Sequence, residues 1–132
     1  MGLTKFPNGV SADDNNTLTT SGLTVAGTLQ TGGVQELLAS GAVTAGIQSV
    51  ELNTSSGAIA ATVATSIGHQ GLFVIKQTDS GTDGHTVTLT VGTFDGSNNV
   101  ATLNAQNEAL LVYFDSAGDG TIIENVGTVG LS

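Results

Sequence analysis

Apolar and polar residues alternate most regularly in Thr86-Val-Thr-Leu-Thr-Val91, where Val87, Leu89 and Val91 fall on one face and threonines on the other. A period of two is the signature of a half-buried strand. From about residue 46 onward such signals recur, and they predict strands at 47–52, 58–65, 71–77, 86–91, 100–104, 109–114 and 121–126. In Leu72-Phe-Val-Ile75 and Ala109-Leu-Leu-Val-Tyr-Phe114 the apolar run is continuous, which predicts strands covered on both faces. Asp115-Ser-Ala-Gly-Asp-Gly120 lies between the last two strands as a hairpin-type loop. Short strands separated by turn signals predict an all-β domain, a β-sandwich or jelly-roll-like barrel over residues 46–132. A doubly wound α/β fold is excluded because no segment has the length and period of a crossover helix.

The first 45 residues have a different texture. Residues 1–16 are polar, carry the chain's single proline after Phe6, and end in the turn formers Asp13-Asp-Asn-Asn16. They read as an extended arm. In residues 17–33, Leu23, Val25 and Leu29 share a parity and Gly27 fills the missing slot, leaving a threonine-rich opposite face. So short a piece cannot bury itself and needs the main domain or sister chains to cover its apolar side. Val34-Gln-Glu-Leu-Leu-Ala39 has the spacing for one helical turn, closely bracketed by Gly32, Gly33 and Gly41.

Charge narrows the function. The 132 residues include two Lys or Arg against eleven Asp or Glu, for a net charge of −9. Phosphate contacts need cations, and Lys5 and Lys76 are the whole supply. Direct nucleic-acid binding and attraction to anionic membranes are therefore not expected. Charged residues make up only 10% of the chain, so a lone monomer would have little to solvate it. An assembled state, with much of the surface covered by partners, is the expectation. Cysteine is absent, which removes disulfides, thiolate metal sites and a cysteine nucleophile. The start lacks the apolar core of a signal peptide, and no window approaches a membrane span. Met1-Gly2 opens like a myristoylation signal, but Phe6 stands where Ser or Thr is required.

Candidate chemistry is sparse. Asp79-Ser-Gly-Thr-Asp83-Gly84 and Asp115-Ser-Ala-Gly-Asp119-Gly120 share the pattern D-x-x-x-D-G, which resembles the front of a calcium loop. Both lack the ligand at the third position, and the twelfth is Thr90 in one and Val126 in the other, so an EF-hand is rejected. Asp and Gly at these positions make good turns. His69 and His85 each follow a glycine, and two histidines with scattered carboxylates fall short of a metal-ligand set. They read as turn histidines bonded to backbone. No G-x-S-x-G elbow is present, and the Gly-rich stretch 22–33 lacks the Gly-Lys-Ser/Thr ending of a phosphate loop. Neither catalytic residue, metal nor cofactor is expected. The aromatics are Phe6, Phe73, Phe94, Tyr113 and Phe114, without the Trp platforms of a carbohydrate-binding module. Phe6 is a candidate anchor on another protein.

The start Met1-Gly-Leu-Thr-Lys-Phe-Pro-Asn-Gly-Val-Ser11 resembles the N-termini of structural proteins of tailed bacteriophages. Ser21-Gly-Leu-Thr-Val-Ala-Gly-Thr-Leu29 resembles the short β-repeats of trimeric phage fibres. Gly84-His-Thr-Val-Thr-Leu-Thr-Val-Gly-Thr-Phe-Asp-Gly96, together with Ala109 to Gly127, is similar to head decoration, or cement, proteins. That resemblance implies a homotrimer, made in the host cytoplasm, on the outer surface of the virion capsid. It would bridge and stabilise major capsid protein subunits. It further implies that Leu3, Phe6, Pro7 and Val10 anchor the arm to the capsid and that Leu23, Val25 and Leu29 pack at the trimer interface. The competing expectation is a fibre or spike component that recognises a host surface through loops such as 92–99. A glycan-processing enzyme is a distant third.

Overall fold

The computed structural model describes residues 33–54, 56–64 and 70–132. Ten strands form in chain order: β1 Val34–Leu37, β2 Gly41–Ala42, β3 Ser49–Leu52, β4 Ala60–Val63, β5 Gly71–Gln77, β6 His85–Leu89, β7 Val100–Leu103, β8 Ala109–Phe114, β9 Gly120–Val126 and β10 Gly130–Leu131. They build two five-stranded sheets, β1-β3-β5-β8-β9 and β10-β7-β6-β4-β2, packed face to face as a β-sandwich. All seven segments read as strands from their alternation are strands, and the two bounded by the longest apolar runs, β5 and β8, start and stop where the pattern does.

The winding is the feature that alternation alone does not encode. Odd strands β1, β3 and β5 lie side by side in one sheet, and even strands β2, β4 and β6 in the other. Every neighbouring pair among these six is parallel. The chain thus passes from sheet to sheet five times between β1 and β6, stacking three two-strand rungs one on the next. Parallel register brings inward residues of successive rungs into columns, such as Leu37 beside Leu52 beside Gln77, and Val50 beside Ile75. From β6 onward the pairings turn antiparallel, and β7 to β10 close the sandwich. Of the two architectures expected, the sandwich forms; a jelly roll would be wired antiparallel throughout.

The core lies between the sheets. Val50, Leu52, Phe73, Ile75, Leu110, Val112 and Phe114 from one sheet meet Ala61, Val63, Val87, Leu89, Ala101 and Leu103 from the other, each almost wholly buried. Phe114 sits at its aromatic centre, with ring centroids 5.9 Å from Phe73 and 6.2 Å from Phe94. Offset tilted pairs at this spacing add attraction beyond area burial.

Four expectations need correction. Val34–Leu37 is a strand, not a helical turn. A six-residue segment between glycines is too short to repay helix nucleation, whereas parallel pairing with β3 engages its backbone. The sandwich also starts before residue 46, because β1 and β2 are hydrogen-bonded members of its sheets. The continuous apolar runs of β5 and β8 are covered on one face only, since Leu72 is 55% and Tyr113 48% exposed. Val91 leaves the buried face it shares with Val87 and Leu89: β6 ends at Leu89, and Phe94 from the following loop fills the core instead. Leu3, Phe6, Pro7, Val10, Leu23, Val25, Leu29 and His69 lie outside the described residues.

Candidate functional site

Carboxylates concentrate in the loops at the two ends of the sandwich, and their geometry is shared. Asp79 Oδ1 accepts from the Gly81 N–H at 2.7 Å, Asp95 Oδ1 from the Ser97 N–H at 3.1 Å, and Asp115 Oδ1 from the Ala117 N–H at 2.8 Å. A short acid bonding the backbone two residues on is a side-chain mimic of a turn. Both D-x-x-x-D-G loops therefore use their first Asp to shape the chain. Asp95 gains further bonds from the backbone and side-chain N–H groups of Asn98, at 2.8 Å each, and these hold its carboxyl below the usual aspartate value. Asp119 Oδ1 accepts from the Thr93 N–H at 3.1 Å and from its hydroxyl at 3.2 Å, tying loop 92–99 to the β8–β9 hairpin.

At the opposite end a buried polar node joins β3, β4, β5 and β6. His85, fully buried at the start of β6, accepts the Ile59 N–H on Nδ1 at 2.9 Å and meets Asp79 Oδ2 through Nε2 at 2.7 Å. Because Nδ1 is an acceptor, the ring proton belongs on Nε2 and is donated to Asp79. The histidine is bonded to backbone as expected, and the carboxylate partner is an addition that chain spacing did not reveal. Asp79 also takes the Thr54 N–H at 3.3 Å and the Gln77 side-chain N–H at 3.2 Å. Burial pushes its pKa up, but the bonds from Gly81, Thr54 and His85 outweigh it and leave the group below its ordinary value. Gln77 stands in the inward column after Leu37 and Leu52, and its amide turns to Gly81 O at 2.7 Å. A polar-walled depression of about 370 Å³ opens beside this node, with Asn53, Asp79 and Asp83 among its lining residues. Through Gly81, Thr54, Gln77 and His85, the Asp79 carboxylate ties the ends of β3, β5 and β6 together.

Glu108, 5% exposed, is the third such group. Its Oε2 accepts the N–H groups of Asn104 and Ala105 at 2.6 and 3.2 Å, while Oε1 accepts the N–H and hydroxyl of Thr128 at 3.0 and 2.8 Å. Burial raises its pKa; the Asn104, Thr128 and Ala105 donors more than reverse that. No group of three or more His, Asp or Glu side chains able to hold a metal ion occurs among the described residues.

What the structure leaves uncovered is a surface. On the outer face of the β1-β3-β5-β8-β9 sheet, register places Leu72 beside Tyr113 beside Thr121, and Val74 beside Leu111 beside Glu124. Ile123 is the extra residue where β9 bulges opposite Leu111 and Val112. Leu72, Tyr113, Ile123 and Val126 are each about half exposed, and Val34 at the far edge 63%. The outer face of the other sheet carries Thr62, Thr86, Thr88 and Thr102 at the corresponding positions. Within one chain, one outer face is threonine and the other aliphatic and aromatic. A strand's preference for β-branched or aromatic residues is met by either set, so strand propensity alone does not account for the apolar set on this exposed face. Alternation could have revealed this face: the continuous apolar runs at 72–75 and 109–114 are its signal. Comparison with known protein families, curated proteins and solved structures finds no match for this chain.

Proposed function

We propose that the protein is a capsid decoration, or cement, protein: a homotrimer on the outer surface of a tailed-bacteriophage head that bridges and stabilises major capsid protein subunits. The observation that carries this reading is the uncovered apolar sheet face on a chain whose buried and loop carboxylates hold its own backbone. Such a chain is equipped to bind through broad surfaces more than to transform a substrate. The resemblance of the N-terminus and of the strand segments to phage structural proteins supplies the setting.

In this reading the sandwich is a rigid body and the N-terminal 32 residues are its attachment. Leu3, Phe6, Pro7 and Val10 anchor the arm on the capsid, and Leu23, Val25 and Leu29 pack between chains. Each contact is modest, but repetition over a closed shell sums them, and whatever binds the assembled shell better than its free subunits stabilises it by mass action.

Counting copies per purified virion against the major capsid protein, by quantitative mass spectrometry, tests the proposal. A count comparable with the capsid subunits is expected. A count far below it moves the protein to a vertex or tail fibre and makes recognition of a host surface the better account. Absence from the particle overturns both.

A further inference from the structure

The geometry points to a second copy of this chain as the partner that covers the outer face of the β1-β3-β5-β8-β9 sheet, with Leu72, Tyr113, Ile123 and Val126 at the contact. The inference rests on reading that face as an interaction surface; it stands whether or not the assembly sits on a capsid.

Charge selects the partner. Among residues 33–132, Lys76 is the single Lys or Arg, and it lies on this face. Register sets it beside Glu51, which is beside Glu36, while Glu124 borders the apolar centre on the opposite side. The face is therefore apolar in the middle with both signs of charge around it, the layout of a protein interface with a polar rim. Elsewhere among the described residues the charged side chains are acids, including Asp83, Asp95, Asp115 and Asp119 in the end loops. Two copies meeting through those loops bring like charges together. Meeting through this face, Lys76 of one copy can approach a glutamate of its neighbour, which steers the copies and fixes their register.

Size and edge geometry agree. Leu72, Tyr113, Ile123 and Val126, each about half exposed, present on the order of 300–400 Å², nearly half of the roughly 800 Å² that each partner contributes to a standard interface. The face also runs out to β9, a seven-residue edge strand without Lys or Pro. The other three edges are short: four residues in β1, two in β2 and two in β10. On β2 the chain closes its own edge, because the Gln35 amide donates to Ala42 O at 3.3 Å and accepts the Thr44 N–H at 2.7 Å. β9 is the longest of the four edges and lies beside the apolar face; its bulge at Ile123 and its Glu124 guard it against strand-to-strand pairing, so the contact is made through the face.

The test is the oligomeric state of the full chain by sedimentation over a wide concentration range. The wild type is expected to associate. Leu72→Asp and Tyr113→Asp, both at outward positions, are expected to weaken association at least tenfold, and Lys76→Glu to weaken it with a dependence on salt. Thr88→Asp, on the outer face of the other sheet, is expected to leave it unchanged. Because the chain has no cysteine, single substitutions give a second readout that does not disturb the apolar centre with charge. Ile123→Cys is expected to form a disulfide between copies under mild oxidation, and Thr88→Cys is not. A wild type that stays monomeric overturns the inference. So does a Leu72→Asp chain that folds and associates as tightly as wild type, since contacts elsewhere, in residues 1–32 for instance, would then hold the copies. A monomeric wild type would also remove the homotrimer from the capsid reading, whereas the Leu72→Asp result bears on this face alone and the copy number on a virion bears on the capsid alone.

Discussion

Glu108 and Thr128, twenty residues apart, are joined through a single carboxylate oxygen: Glu108 Oε1 accepts both the N–H and the hydroxyl of Thr128. The other oxygen holds the turn that leads into β8. One buried side chain thus pins the β7–β8 turn to the turn before β10, and Gly127 lies so close that a Cβ there would sit 2.7 Å from Glu108 Cγ.

Glu108→Gln is the sharpest probe of this clamp. An amide is nearly isosteric, but its NH₂ must face either the Asn104 and Ala105 N–H groups or those of Thr128, leaving donors unpaired. Bonds to a charged acceptor are worth about 1.5–3 kcal/mol each and unmet buried donors add to the loss, so unfolding free energy should fall by about 2–4 kcal/mol in urea titrations. Amide exchange in β10 should rise more than exchange in β5. A variant as stable as wild type would show that the clamp contributes nothing net.

Acid sensitivity follows from the same groups. In the folded chain the carboxyls of Glu108 and Asp79 lie below their ordinary values of 4.5 and 3.8. The folded state therefore holds protons less readily than the unfolded state, and the stability these groups contribute is complete above the ordinary values. It is lost as pH falls through the lowered, folded ones. Urea midpoints should be flat above about pH 5 and decline below it, and Glu108→Gln should decline less steeply. An identical acid slope in that variant would contradict the assignment.

His85 is expected to carry its proton on Nε2. Long-range ¹H–¹⁵N correlation should show an unprotonated Nδ1, consistent with its acceptance of the Ile59 N–H. Replacing the ring by alanine removes partners from both Ile59 and Asp79 and opens a cavity, and a loss of roughly 3 kcal/mol or more is anticipated. A proton found on Nδ1 would mean the node is wired differently.

Gly92 meets the backbone of Gly118 at a distance that admits no side chain. A Cβ on Gly92 would lie 2.1 Å from Gly118 O, and its φ of +76° is strained for any other L-residue. Gly92→Ala should cost at least about 3 kcal/mol or detach loop 92–99 from the hairpin, visible as loss of the Thr93–Asp119 protection. Gly41→Ala is the control: nothing lies within 4 Å of the added methyl, and Tm should move little.

Residue pattern along the chain is enough to place most of the strands and turns. Alternation is a local property, imposed by successive side chains pointing to opposite faces, so β3 to β9 could be read off residues 47–126, and Asp79 and Asp115 announced turns. Pairing is not local. Leu37 reaches Leu52 and then Gln77 across unequal stretches of chain, and nothing in a two-residue period says which strand lies beside which, or that the first six run parallel. β2 and β10, two residues each, are too short to show a period, and β1 has the spacing of a helical turn; all three exist because a neighbouring strand engages their backbone. The same limit applied to side chains. Apolar runs at 72–75 and 109–114 showed that both faces of those strands are apolar, but only the packed sandwich decided which face is core and which is left exposed. Glu108, His85 and Gln77 looked like ordinary turn and strand residues; burial against donors from distant segments made them the polar ties of the fold.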